Sequence, residues 1–413
     1  MAARIYGLIG RTLRHSYSVQ IHRALGNDAY ALYELEPDAL GAFLSRSDLG
    51  GLNVTIPYKR DAAAHCDELD ETARQTGSVN TIVRAANGRL RGYNTDVYGL
   101  RQMAARAGIS FSGKKVVVLG SGGASQSVQH VAKTGGAREI AVVSRRGENN
   151  YENLSRHSDA QILVNATPVG MYPHTGGLSA DPALFPACEG VLELVYNPRR
   201  TALLFRAEEL GILCADGLSM LTAQAKAAEE LFFGGAIADG ESDRVLRQLR
   251  QATQNIVLIG MPGSGKSTVG AALSALTGRR AVDLDEQVVL AAGRSIPQIF
   301  AEAGETAFRA LEREQVRRWG KESGLILVTG GGVVKDEQNL SPLRQNGRIY
   351  QLERALSLLP REGRPLSMHA DLRTILQERA PCYARFRDCA VENDAAPEDA
   401  AARIWNDFCE HTD

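Results

Sequence analysis

The sequence predicts an α/β protein of two or three domains, and three observations carry that prediction. Short apolar runs alternate with amphipathic segments, the order that builds sheets covered by helices. Two glycine-rich turns, Gly120–Ala124 and Gly260–Gly265, each stand between an apolar run and a helical pattern. The length, 413 residues, exceeds what one ordinary core organises.

Taken in order, "RIYGLIG" reads as a strand and "SVQIHRALG" as a helix ending at Gly26. "AYALYEL" is a strand, "DALGAFLS" a helix, and "GGLNVTIPYK" a strand leading into a turn. This β-α-β-α order predicts a parallel sheet with helical cover. A second unit starts at "KKVVVLGSGGASQSVQHVAKTGGAREIAVVSRR": a strand at Val116–Leu119, a glycine turn, a helix, and a strand at Ile140–Val143. That is the layout of a dinucleotide-binding unit. Phe232–Asn255 carries a loop and then a charged helix, after which "IVLIG" starts afresh, so a boundary falls near residue 252. The tail after Val391 closes with one amphipathic helix, "PEDAAARIWNDFCEH".

Apolar content of 44% and charged content of 23% are those of a soluble globular chain. A formal net charge of −1 gives no support for nucleic-acid binding. The six cysteines are scattered and form no C-x-x-C pair, which points to a reducing cytoplasm. No apolar run approaches membrane-spanning length. A homo-oligomer is left open.

Gly120, Gly122, Gly123 and Ala124 form the first turn. Glycine there lets the chain bend sharply and lets a pyrophosphate approach free N–H groups at a helix start. About 20 residues on, enzymes that use NAD place an acid for the ribose hydroxyl. This chain has Ser144, Arg145 and Arg146. Arginine suits a 2′-phosphate, so NADP is favoured. A tight turn followed by a solvated basic turn is the competing reading.

Three further stretches put polar groups in loops: "HSYS" at 15–18, "NVTIPYK" at Asn53–Lys59 and "GYNTD" at Gly92–Asp96. Ser16 and Ser18, at i and i+2 in an extended segment, point the same way and could grip a carboxylate. Read singly, each stretch is also an ordinary turn, surface lysine or helix cap. Together with "GSVNT", "NATPVGM", "YNP" and "GLSMLTAQA", they make about the first 245 residues resemble shikimate dehydrogenase. The resemblance implies that Ser16 and Ser18 bind the substrate carboxylate, that Lys59 and Asp96 are the catalytic pair, and that Thr55, Asn80 and Gln224 hold substrate hydroxyls. It also places Met171 and Gly217 at the nicotinamide end and Thr167 among the cofactor-binding residues. The implied reaction is reduction of 3-dehydroshikimate by NADPH, with Lys59 giving a proton to the developing alkoxide. The chain departs from the family pattern at Thr12 and Val19, where Pro is usual. It departs also at Ser144–Arg146, at Glu193 in place of a common Asp, and in a short span from Arg146 to Asn165.

Gly260-x-x-x-x-Gly265-Lys266-Ser267 is a complete phosphate-binding loop after the strand "NIVLI". Its N–H groups, from Gly263, Ser264, Gly265 and Thr268 among others, cradle phosphates. Lys266 reaches their oxygens, and Ser267 offers a Mg²⁺ ligand. "AVDLDE" ends a strand with Asp283 and Asp285 at i and i+2 on one face, one serving magnesium and the other an accepting hydroxyl. Arg309, Arg364 and Arg379 suggest an anionic acceptor and a lid, although a lone arginine is usually a solvated charge.

From about residue 253 to the end, the chain resembles shikimate kinase. The motifs are the loop itself, "DLD", "SIPQIFAEAGETAFRALE", "TGGGVV", "RPL" and "RAPCYARF". The resemblance implies Ser267 and Asp283 at Mg²⁺, Asp285 at the shikimate hydroxyl, and Arg309 and Arg379 at its carboxylate. It places Gly330, Gly331 and Gly332 beside the substrate, Arg364 at the phosphates, and Phe308 and Glu312 in the pocket wall.

The expected architecture is therefore a shikimate dehydrogenase-like pair of α/β domains followed by a P-loop, nucleoside-monophosphate-kinase-like α/β domain. A substrate domain spans 1–97 and is completed by helices at about 218–250. A Rossmann NADP domain spans 98–217 and the kinase domain 252–413. The expected cofactors are NADP(H), ATP and Mg²⁺, and the expected partners are small molecules, with neither nucleic acid nor membrane. Two alternatives stand: a quinate-oxidising or NAD-using first part, and one part acting as a non-catalytic binding module.

Overall fold

The computed structural model describes residues 4–13, 16–359 and 372–411. The chain divides into two compact units, Met1–Leu249 and Arg250–Asp413, which meet in sequence within the helix Asp239–Thr253.

The first unit holds two sheets. One contains β1 (Ile5–Gly10), β2 (Tyr30–Glu34), β3 (Leu49–Val54), β4 (Glu68–Leu69), β5 (Thr81–Arg84) and β6 (Leu90–Tyr93), in the order β2-β1-β3-β5-β6-β4. Strands β1, β2 and β3 run parallel, as the β-α-β-α pattern predicts. The remainder corrects that prediction: β5 is antiparallel to both β3 and β6. The cause is local. Asn87-Gly88 closes a turn between β5 and β6 with Gly88 at φ +84°, where a side chain is strained. No helix intervenes to carry the chain back for a parallel return.

The second sheet is parallel throughout: β7 (Lys115–Leu119), β8 (Glu139–Val143), β9 (Ile162–Asn165), β10 (Gly190–Glu193) and β11 (Leu213–Ala215), ordered β11-β10-β9-β7-β8. Strand β7 reads as unbroken apolar residues because both of its faces are covered. Val116 and Val118 pack into one core, while Val117 and Leu119 pack into another on the opposite face. The helix Gly123–Thr134 follows β7 directly. The short span after Arg146 forms a 3₁₀ stretch, Tyr151–His157, before β9.

In the second unit, β12 (Asn255–Gly260), β13 (Ala281–Asp283), β14 (Ile326–Val328), β15 (Gly347–Glu353) and β16 (Cys389–Glu392) form a parallel sheet ordered β13-β14-β12-β15-β16. Strand β12 again divides its side chains: Val257 and Ile259 enter one core, Ile256 and Leu258 the other. The helix Lys266–Thr277 starts at the end of the phosphate-binding loop, and the helix Pro397–Glu410 closes the described chain. Helix Ile296–Gly320 opens with a reciprocal cap between Ser295 and Gln298, and breaks its helical geometry at Gly304. Among the described residues, no helix is long and apolar enough to cross a membrane.

Candidate active sites

In the first unit, the strand end at Val54 and the helix Asp96–Arg106 bring Lys59 and Asp96 together. Lys59 Nζ donates to Asp96 Oδ2 at 2.5 Å. Asp96 occupies the first turn of its helix, where exposed N–H groups favour a carboxylate. Its second oxygen accepts from Asn80 Nδ2 at 2.9 Å. Asn80 cannot turn its amide over, because its Oδ1 accepts from Thr95 N at 2.7 Å and from Thr81 Oγ1 at 3.1 Å. Behind it, Asn53 donates to Thr81 Oγ1 at 3.0 Å and accepts from Tyr30 Oη at 2.7 Å. A satisfied buried network of this kind holds its members in one arrangement.

Gln224 reaches the same point from the helix Leu218–Phe233, its Oε1 accepting from Thr95 Oγ1 at 3.3 Å. Gly99 makes that approach feasible. A Cβ there would lie 2.5 Å from the Met220 carbonyl oxygen and 3.1 Å from the Gln224 Cβ. Gly99→Ala is expected to cost about 1–3 kcal/mol of stability through overpacking. By displacing Gln224, which the resemblance places at a substrate hydroxyl, it should also raise the KM of the first unit's substrate. Urea unfolding and steady-state kinetics check the two effects.

Ser16 Oγ donates to Ser18 Oγ at 3.0 Å, so the two hydroxyls do converge. They do so because Ser18 begins a helix, rather than through strand alternation. Tyr196, part of the "YNP" motif but given no role from sequence, hydrogen-bonds Ser16, and burial pushes its phenol up to about 12. Thr55 is half-buried just before the Ile56-Pro57 bond, which is cis.

The glycine turn abuts this site. A Cβ on Gly123 would sit 3.2 Å from Ser78 Oγ and 3.3 Å from the Lys59 Cβ, so the helix start lies over the lysine stem. Gly120 has φ +105°, and Gly122 faces open space. Ala124 follows in the first helical turn. Ser144 sits at the end of β8, with Arg145 and Arg146 exposed beyond it. Thr167 donates to Asn165 Oδ1 at 2.6 Å, and Met171 is exposed on the loop that follows. Gly217 packs directly on the Leu194 carbonyl, which leaves no room for a side chain.

Glu193 was noted in the sequence only as a departure. It is fully buried, and burial pushes its carboxyl up to about 7 against the pull of donors from Asn165, Val195 and Thr201.

In the second unit, Gly263 and Gly265 both take φ +90°, a conformation that favours glycine and bends the loop around the start of the helix Lys266–Thr277. Lys266 Nζ donates to the carbonyls of Gly260 and Met261, each at 3.0 Å. Ser264 is buried and Thr268 exposed. Ser267 Oγ donates to Asp283 Oδ2 at 2.9 Å, placing two hard oxygen donors side by side. Asp283 and Asp285 do not share a strand face, which corrects the sequence reading. Strand β13 ends at Asp283, whose Oδ1 accepts from the Asp285 N–H at 3.0 Å. That cap starts a helix, and Asp285 lies in its first turn.

The Gly330–Gly332 loop after β14 lies flush against the other groups. A Cβ on Gly330 would be 2.5 Å from Asp285 Oδ1, one on Gly331 would be 2.7 Å from Pro262, and one on Gly332 would strike the Arg309 guanidinium. Arg379 Nη1 and Tyr383 Oη both donate to the Gly331 carbonyl at 2.8 Å. Arg309 Nη1 donates to Glu312 Oε2 at 2.6 Å. Burial raises the Glu312 carboxyl above its ordinary range, opposed by Arg309. Phe308 is buried beside this pair. The structure thus gathers Asp285, Arg309, Gly331, Gly332 and Arg379 around one loop. Arg364 lies outside the described residues. Asn393 was missed by the sequence reading. It donates to the Ser264 carbonyl at 2.7 Å across 129 residues, a separation no local motif records.

Comparison with known proteins follows the same division. The family model for the shikimate dehydrogenase substrate binding domain matches residues 8–82, and that for shikimate kinase matches 262–409. A shikimate dehydrogenase (NADP(+)) of Clostridium perfringens is 33% identical over 268 residues, spanning 60% of this chain and 98% of the relative. The crystal structure of a chorismate mutase/shikimate 5-dehydrogenase fusion protein from Clostridium acetobutylicum is similar, with TM-score 0.58 and 33% identity. It covers 61% of this chain and 98% of that one. The shikimate 5-dehydrogenase of Thermus thermophilus, solved in complex with NADP(H) and shikimate, has TM-score 0.53 and 29% identity, covering 59% of this chain and 99% of its own. The chain belongs to the shikimate dehydrogenase family, and joined to that part in the same polypeptide is a shikimate kinase domain.

Proposed function

We propose that this is a bifunctional enzyme of the shikimate pathway. Its first unit reduces 3-dehydroshikimate to shikimate with NADPH, and its second phosphorylates shikimate to shikimate 3-phosphate with ATP and Mg²⁺. The observation that carries the reading is the Lys59–Asp96 pair, fixed by Asn80, with Gln224 bonded to the neighbouring Thr95. It is a charged donor aimed from a half-buried position beside a glycine turn. When bound, NADPH supplies hydride and ATP the phosphoryl group.

The residues suit both. The open space at Gly122 and the start of a 12-residue helix fit a pyrophosphate, and exposed Arg145 and Arg146 fit a 2′-phosphate. Met171 and Gly217 would flank the nicotinamide, and Thr167 would also meet the cofactor. Ser16 and Ser18 would hold the substrate carboxylate, and Thr55, Asn80 and Gln224 its hydroxyls. Lys59 gives its Nζ proton to the carbonyl oxygen while Asp96 keeps the ammonium in place. In the kinase unit, Ser267 and Asp283 would hold Mg²⁺, and the loop from Gly263 to Thr268 the phosphates. Lys266 and Arg364 would offset their charge. Arg309 and Arg379 would bind the shikimate carboxylate beside Gly331 and Gly332, leaving Asp285 to take the hydroxyl proton. The partners in this reading are small molecules and the setting is the cytoplasm, in keeping with a formal net charge of −1 and scattered thiols.

A coupled assay on the purified chain tests it. With 3-dehydroshikimate, NADPH, ATP and Mg²⁺, NADPH loss should precede ADP release, and omitting NADPH should abolish ADP release. Faster turnover of quinate than of shikimate, or equal rates with NADH, would overturn the assignment of the first unit. Replacing Arg145 and Arg146 by Ala should raise the KM for NADPH roughly ten- to a hundredfold, the worth of a charge-assisted hydrogen bond. The KM for NADH should stay unchanged.

A further inference from the structure

The second sheet ends four strands at one level. Leu119 pairs with Val143 on one side and Asn165 on the other, and Asn165 pairs with Glu193. This carboxyl edge is where open parallel sheets bind their ligands. The glycine turn leaves β7 there, and the Ser144–Arg146 segment leaves β8. Glu193 lies one strand beyond Asn165, at the same edge. A fully buried carboxylate among valines and leucines is costly unless each of its oxygens finds donors. Here each does. Oε1 accepts from Asn165 Nδ2 at 2.9 Å and from Val195 N at 3.0 Å. Oε2 accepts from Asn165 Nδ2 at 3.0 Å and from Thr201 Oγ1 at 2.9 Å.

The consequence is directional. An amide whose Nδ2 is held by a carboxylate must present its oxygen to the opposite side. Asn165 Oδ1 accordingly accepts from Thr167 N at 3.1 Å and Thr167 Oγ1 at 2.6 Å, and Thr167 Oγ1 accepts from Val169 N at 3.2 Å. The loop so fixed forms a wall of the glycine turn, since a Cβ on Gly120 would lie 3.0 Å from both the Ala166 oxygen and the Thr167 Cγ2. On its other side, Glu193 fixes Val195, whose carbonyl accepts from Gly217 N at 3.2 Å.

We propose that Glu193 is a positioning residue for NADPH. Through Asn165 it sets the orientation of the 166–169 loop against the Gly120 turn, and through Val195 it sets the start of the Gly217 helix. The assignment rests on the reading of the first unit as an NADPH-dependent reductase. Glu193→Gln tests it, because the glutamine keeps the size and presents an N–H₂ to groups that themselves donate. Glu193→Asp keeps the charge.

The full chain is titrated with NADPH by cofactor fluorescence and assayed for both activities. Glu193→Gln should weaken NADPH binding and raise its KM by about tenfold to a hundredfold. The KM for 3-dehydroshikimate, kcat at saturating NADPH and the phosphorylation rate should stay within about threefold. Glu193→Asp should recover most of the loss. Unchanged NADPH affinity in Glu193→Gln overturns the proposal. So does a joint fall of affinity, kcat and melting temperature in both variants, which marks a purely structural role. If the wild type binds NADPH but does not reduce 3-dehydroshikimate, the reaction assigned to the unit fails, while the binding comparison still decides the role of Glu193.

Discussion

Lys59→Ala is expected to lower NADPH-dependent reduction by roughly 10²–10⁴-fold, the contribution of a positioned proton donor. The expectation follows from how completely the surroundings commit Lys59 to one task. Its ammonium has Asp96 at 2.5 Å, and the other Asp96 oxygen is taken by Asn80. Hydride delivered to a carbonyl leaves charge on the oxygen, and in the proposed mechanism Lys59 is the group that neutralises it with a proton. Ser16 and Ser18 belong to a different segment and are unaltered, so the KM for 3-dehydroshikimate should change far less than kcat. Removing the lysine also leaves Asp96, 5% exposed, without its counter-charge, so some stability is lost. Phosphorylation of shikimate by the same preparation is the internal control. A kcat within twofold of wild type, at unchanged cofactor affinity, would remove Lys59 from the mechanism.

Asp285→Asn should do the converse: phosphorylation falls by roughly 10²–10⁴-fold while reduction is untouched. The backbone N–H of Asp285 is held at a helix start by the Asp283 cap, and the Asp285 Oδ1 lies where a side chain on Gly330 would have to go. The amide keeps that shape and loses only the ability to take a proton and to bear charge. Arg309 and Arg379 are unaltered, so the KM for shikimate should stay within a few-fold. Loss of shikimate binding in step with kcat would show that Asp285 holds the acceptor rather than activating it.

The sequence disclosed most where function is written in consecutive residues. The phosphate-binding loop could be read by itself because its strand-to-helix geometry is local, whereas "NVTIPYK" and "GYNTD" pointed to a chemistry only when taken together with the other motifs. The Ser267–Asp283 contact, 16 residues apart, was also within reach of motif reading. What escaped depends on distant parts of the chain meeting. Glu193 draws meaning from Asn165 on the neighbouring strand, Gly99 from a helix far later in the chain, and Asn393 from Ser264. The antiparallel β5 and β6 are a different case. Their Asn87-Gly88 turn was present in the sequence, but the helix-strand alternation before it dominated the reading. Asp283 and Asp285 were paired by strand periodicity at the point where the strand gives way to a helix, so the period itself changed between them.

Gly330, Gly331 and Gly332 together form a mould of the kinase site. Each missing side chain marks the place of a different neighbour: Asp285, Pro262 of the phosphate-binding loop, and Arg309. Methyl groups added singly along this loop should therefore produce three distinguishable defects, in proton removal, nucleotide seating and carboxylate recognition. Selection for a bulkier acceptor would have to proceed from the opposite wall of the pocket, because this wall has already surrendered every atom it can.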